Sequence, residues 1–172
     1  MNRIVGYFVI AIIGFLVACI LYLPVYFILR KKKIPFIKQF SCLLLGFSIF
    51  IILTVTIFLG GIDFNPQYNL INLVPFKFLI ETYDMGYREM MSQVVANIIM
   101  FVPIGLLLPI VLKKCREFKY TCLYSLLFTF SIEFVQYFIG RSCDIDDIIM
   151  NFIGSVLGYG IYKLFDKIIK NS

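Results

Sequence analysis

Glu133, Asp144, Asp146 and Asp147 lie beside or inside two strongly apolar runs in the stretch SIEFVQYFIGRSCDIDDIIMNFIGSVLGYG, Ser131 to Gly160. A carboxylate within a membrane-spanning run is costly, so it has to face a bundle interior or a wet cavity, and it is a functional candidate by default. Two chemistries suit these groups. Glu133 could act as a general acid or base in a partly dry site, which makes it the candidate catalytic residue. Asp144, Asp146 and Asp147, three carboxylates within four residues, could hold a hard divalent cation, although the run lacks the glycine and the distant glutamate of a calcium loop. Plainer roles are open too: Glu133 as a hydrogen-bond partner between helices, and the aspartates as caps of the following helix. One acid would suffice for a cap. The chain has no histidine, which removes the histidine-bearing zinc site and the Ser-His-Asp triad. Cys143 lacks a partnering base and is a weak candidate nucleophile.

Spacing puts other polar residues with these acids. Ser125, Thr129, Glu133, Gln136 and Gly140 follow one another at steps of four, four, three and four, which is one face of a helix. Asp147, Asn151, Gly154 or Ser155, and Gly158 form a second such stripe. Gly154 and Gly158 read first as a small face that lets two helices approach. Asn97 precedes Pro103 and Gly105 in another apolar run, where the proline and glycine read as determinants of shape.

The elements that position these residues follow from composition. Of 172 residues 61% are hydrophobic and 15% charged, with a mean hydropathy of +0.94, which predicts an all-α integral membrane protein rather than a soluble domain. Apolar runs predict about five transmembrane helices in a single domain over residues 1–172: Ile4 to Leu29, Phe40 to Leu59, Val94 to Leu112, Tyr120 to Ile139 and Ile148 to Phe165. The sequence Leu16-Val17-Ala18-Cys19 has the form of a lipobox, but its apolar run continues to Leu29 and a basic cluster, as a span does.

Twelve of the sixteen basic residues fall in the first connection, the third connection and the tail. Lysine and arginine are retained on the cytoplasmic side, which predicts an external amino terminus and a cytoplasmic carboxyl terminus. The net charge of +6 thus reports topology and not nucleic-acid binding. Between the second and third spans, the segment from Asn69 is too short to cross and too apolar for a free loop. It predicts a re-entrant or interfacial element on the outer side. Asn72, Asn97, Glu133, Gln136, Arg141, Asp144, Asp146, Asp147 and Asn151 are then expected to converge as a binding site near the outer membrane surface.

The same residues carry a family resemblance. NLVPF at Asn72 to Phe76, NIIMFVPIG at Asn97 to Gly105, EFVQ at Glu133 to Gln136 and GRSCDIDDIIMNFIG at Gly140 to Gly154 occur in the order seen in the VanZ-like family of bacterial membrane proteins. The resembling region is about residues 69–162. The resemblance implies a multi-pass bacterial plasma-membrane protein, and the name-giving member is associated with low-level resistance to teicoplanin. The expected partners are membrane lipids, a lipid-linked wall precursor or a lipoglycopeptide held in the outward polar pocket. Two other classes stand beside this one. The first is an outer-leaflet enzyme acting on a phospholipid or lipid-linked substrate through Glu133 and an aspartate-bound divalent cation. The second is a carrier coupled through Glu133, for which the sequence offers neither internal repeats nor a matching polar site in the inner half of the spans.

Overall fold

The computed structural model describes residues 3–31, 34–58, 64, 66–67, 70–77 and 86–171, with the backbone alone at 3–11, 13, 15, 18, 21, 29, 58, 88–90 and 171. Asp63, Asn69, Glu81 and Asp84 therefore lie outside the described residues. Five α-helices follow in order among those described: α1 (Arg3–Lys31), α2 (Phe36–Leu53), α3 (Tyr87–Val111), α4 (Phe118–Phe138) and α5 (Ile145–Asn171). A π-helical turn, Thr54–Phe58, extends α2, and a 3-10 turn, Lys113–Arg116, joins α3 to α4. Two short strands, β1 (Ile71–Asn72) and β2 (Cys143–Asp144), pair in parallel with Asn72 opposite Asp144.

Three helical stretches among the described residues are long and apolar enough to cross a membrane: Phe36–Ile57, Met91–Val111 and Ile145–Lys170. The first and fourth expected spans fall on the helices α1 and α4, which are not among these three stretches. Cys19 of the lipobox-like sequence sits within α1, which runs on through Lys31. The last helix begins earlier than its apolar run, so that Asp146 and Asp147 stand in its first turn and not in a loop.

In α4 the polarity is the reverse of a water-soluble helix. Thr121, Ser125, Thr129, Glu133 and Gln136 are buried, while Leu123, Leu126, Leu127, Phe130, Phe134 and Phe138 are exposed. An apolar rim around a polar seam suits a lipid surround, where buried polar groups find partners on neighbouring helices.

Helices α3 and α5 touch backbone to backbone. A Cβ on Gly105 would lie 1.8 Å from the Ser155 carbonyl oxygen, one on Gly154 would lie 2.1 Å from that of Ile98, and one on Gly158 would lie 2.0 Å from that of Val102. Only hydrogen fits there, as the small-residue stripe predicts. The apolar core, Leu45, Ile52, Phe101, Ile104, Leu107 and Ile132, fills the space among α2, α3 and α4. Pro103 and Pro109 each remove an amide donor from α3, yet the helix continues to Val111.

Candidate functional site

The site begins where α4 stops. Gly140 has a positive φ of 74°, a conformation that costs little without a Cβ. It lets the chain turn back so that the Gly140 amide donates to the Tyr137 carbonyl at 3.2 Å and the Arg141 amide to the Gln136 carbonyl at 2.9 Å. This pair of bonds closes the helix as a Schellman motif. The reversal leaves Arg141 beside the π turn of α2. There Nη1 of Arg141 and Nε2 of Gln136 both donate to the Thr56 carbonyl oxygen, at 2.5 and 3.1 Å.

Asp144 is the N-cap of α5. Its Oδ1 accepts the Asp146 amide at 2.9 Å, one of the donors that a helix start leaves without an intrahelical partner. The same Oδ1 accepts Nδ2 of Asn72 at 3.0 Å, and the Asp144 amide donates to Oε2 of Glu133 at 2.8 Å. Glu133 is 2% exposed. Its carboxylate thus holds the backbone of β2 against the end of α4.

Residues 71–77 form a strap over this junction. Oδ1 of Asn72 accepts the Val74 amide at 3.2 Å, which tightens the chain after β1. Following Pro75, Phe76 takes a φ of 61°, rare for a residue with a side chain and strained by about 1–3 kcal/mol. Its amide is held by Oδ1 of Asp146 at 2.6 Å. The strap turns its side chains outward: Leu73 is 71% exposed, and Val74 and Phe76 are exposed as well. The strap is thus fixed by carboxylates while Leu73, Val74 and Phe76 stay exposed on it.

Eight of the nine expected binding residues meet at this end of the bundle: Asn72, Asn97, Glu133, Gln136, Arg141, Asp144, Asp146 and Asp147. Asp147 accepts Nδ2 of Asn97 at 2.5 Å, tying α5 to α3. Asn151 lies one turn further along α5, where its Nδ2 donates to Oγ1 of Thr129 at 2.9 Å. The side-chain oxygens of Gln136 and Asn151 are buried without a protein partner. Sequence reasoning missed Thr56 and the Val74 and Phe76 amides, because they act through the backbone. The break in α2 that presents Thr56 is foreshadowed only by the β-branched run Thr54 to Ile57.

The three aspartates, expected as a joint cation site, point to different tasks. Asp144 caps α5, Asp146 accepts the Phe76 amide and Asp147 faces Asn97. Among the described residues no three acidic, histidine or cysteine side chains are grouped so as to hold a metal ion. Cys143 lies in β2 beside them. Burial pushes its thiol above the usual range, and the Glu133 and Asp144 charges push the same way.

Against known proteins, the VanZ/LLP1 family profile matches residues 40–166, which includes every residue of this site. The chain belongs to the VanZ/LLP1 family. The protein VanZ of Enterococcus faecium is 36% identical to it over 108 residues, a match that covers 60% of this chain and 59% of that protein. No solved structure matches it at a significant level. Within this VanZ/LLP1 member, the family region comprises the π turn, the strap, α3, α4 and α5 as far as Asp166, together with all of α2 except its first turn.

Proposed function

We propose that this VanZ/LLP1 member is a plasma-membrane protein of five spans, with its amino terminus outside and its carboxyl terminus in the cytoplasm. It lowers susceptibility to teicoplanin-type lipoglycopeptides by engaging lipid or a lipid-linked wall precursor at the carboxylate end of the bundle. The observation that carries this reading is the strap. Leu73, Val74 and Phe76 are exposed apolar side chains on a backbone pinned from below by Asp144 and Asp146. A ligand with a lipid tail and a polar head matches that juxtaposition. Basic residues clustered at the opposite end support the orientation. The family match and the relationship to VanZ of Enterococcus faecium support the class of function.

Binding is favoured over catalysis by what the acids already do. Glu133, Asp144 and Asp146 each accept a backbone amide, and Asp147 accepts the Asn97 amide group. A proton-transfer role would have to displace one of these partners.

The test is growth inhibition by teicoplanin and by vancomycin, which lacks the acyl chain. A susceptible Gram-positive host would express the chain, a Leu73→Ser/Val74→Ser variant at equal membrane abundance, or an empty vector. The expected result is protection against teicoplanin alone, reduced in the variant. Equal protection against both drugs, or a variant as protective as the parent, would remove the lipid-facing strap from the account.

A further inference from the structure

The end of the molecule opposite the strap carries a second organised feature. A cavity of about 410 Å³ opens between the start of α2 and the basic turn after α3, lined by Ile34, Pro35, Lys38, Ile110, Lys113 and Arg116 among others. A neighbouring cavity of about 310 Å³ shares Lys38 and Lys113 and adds Lys114. Their combined lining is apolar and basic, drawn from the first turn of α2 and the turn after α3, 75 residues apart at Lys38 and Lys113.

The basic turn is held rigidly. Cys115 is fully buried, and its amide donates to the Leu112 carbonyl at 3.0 Å. Oγ1 of Thr121 donates to the Cys115 carbonyl at 2.7 Å, and the Tyr159 hydroxyl donates to the Arg116 carbonyl at 2.7 Å. The opposite wall is fixed by Nε2 of Gln39, which donates to the Ile34 carbonyl at 2.7 Å. The N-cap of α2 is Pro35, which supplies no side-chain acceptor to the first turn. No acidic side chain stands in the first turn of that helix, whose start, with Pro35, Ile37 and Lys38, lines the cavity. Two acids near the basic turn, Glu117 and Asp166, pair with Lys119 and Lys170 at 3.0 and 2.7 Å. Among the described residues no carboxylate pairs with Lys38, Lys113 or Lys114.

We propose that this cleft binds the headgroup of an anionic phospholipid in the leaflet at the basic end of the bundle. The phosphate sits among Lys38, Lys113 and Arg116 at the start of α2, and the acyl chains run down the apolar faces of α2 and α3. Phe36 and Ile37 on α2 and Leu112 beyond α3 are exposed at the level where those chains would enter. Basic pockets between helices at a membrane boundary have this combination of charge and apolar wall. A phosphate without a lipid tail would leave the apolar wall unused, so the lipid is the occupant that uses both parts. The inference concerns the end away from the strap and holds whichever drug or precursor the strap engages.

The experiment is native mass spectrometry of the delipidated full chain in detergent, supplied with phosphatidylglycerol and phosphatidylcholine in equal amounts, with and without glycerol 3-phosphate. The parent is expected to retain phosphatidylglycerol in roughly tenfold preference. A Lys38→Gln/Lys113→Gln/Arg116→Gln variant should lose that preference, and the single variants should lose part of it. A Lys163→Gln/Lys167→Gln/Lys170→Gln variant, with the same change of charge but outside the cleft, should keep it. No headgroup preference in the parent, an unaffected cleft variant, or an equal loss in the tail variant would each overturn the proposal. Displacement of the lipid by glycerol 3-phosphate at matched concentration would overturn it too, since the site would then be one for free phosphate.

Discussion

Glu133 and Asp144 are joined from side chain to backbone: Oε2 of Glu133 accepts the Asp144 amide at 2.8 Å across a chain reversal of eleven residues. That bond sets β2 in place, and β2 in turn receives the strap. A carboxylate buried in the α4 helix is here a structural acceptor whose removal would loosen the β2 backbone that receives the strap.

Replacing Glu133 with alanine leaves the Asp144 amide without its acceptor in a partly buried setting, at a cost of about 1–3 kcal/mol. Glu133→Gln retains an acceptor oxygen at the same reach. In a detergent-solubilised thermal denaturation series, Glu133→Ala should melt well below the parent and Glu133→Gln close to it. Equal destabilisation by both would mean that the charge, and not the hydrogen bond, is what the site requires.

Asn72 reads both ways, donating to Asp144 and accepting from Val74. Asn72→Asp sets a carboxylate against a carboxylate and removes the donor, so the strap should lift while the helices remain. Hydrogen exchange followed by mass spectrometry should show faster labelling at residues 71–77 and unchanged labelling along α3 and α5.

Glycines divide sharply by position. Gly105→Ala and Gly154→Ala drive a methyl group into the backbone of the facing helix and should cost roughly 1–3 kcal/mol or more, seen as lost expression or a lower melting point. At Gly46 and Gly160 a Cβ would meet nothing within 4 Å, so alanine there should be neutral or stabilising by up to about 1 kcal/mol.

Cys143 should alkylate slowly. Burial and the neighbouring Glu133 and Asp144 charges raise its thiol, and the thiolate is the reactive form. With the other four cysteines replaced by alanine, maleimide labelling should keep accelerating past roughly pH 8.5, where an unperturbed thiol is half ionised. A rate that levels off at the pH of a free thiol would contradict the buried setting of β2.

Much of this arrangement was legible because helical spacing is written in residue types. The four- and three-residue steps from Ser125 to Gln136 placed those side chains on the buried face of α4, and Gly154 and Gly158 announced the tight contact with α3. Depth along opposed helices was enough to bring Asn97 near Asp147. What could not be read was the use of backbone as partner. The Thr56 carbonyl, the Asp144 amide and the Phe76 amide carry no side-chain signature, and each is exposed only by a local departure from regular structure. The aspartates, expected as a joint ligand set, divide at the start of α5 among a cap, a strap and a neighbouring helix.

The bond from Asn72 to Asp144 spans 72 residues of sequence, and that from Phe76 to Asp146 spans 70. During synthesis the strap emerges well before the residues that receive it. Its acceptors lie beyond α4, at the N-cap and in the first turn of α5, so the strap has no docking partner there until that turn has been made. A chain that stopped before Asp144 would contain α1 to α4 and leave Leu73 and Val74 on a strap without its Asp144 and Asp146 acceptors.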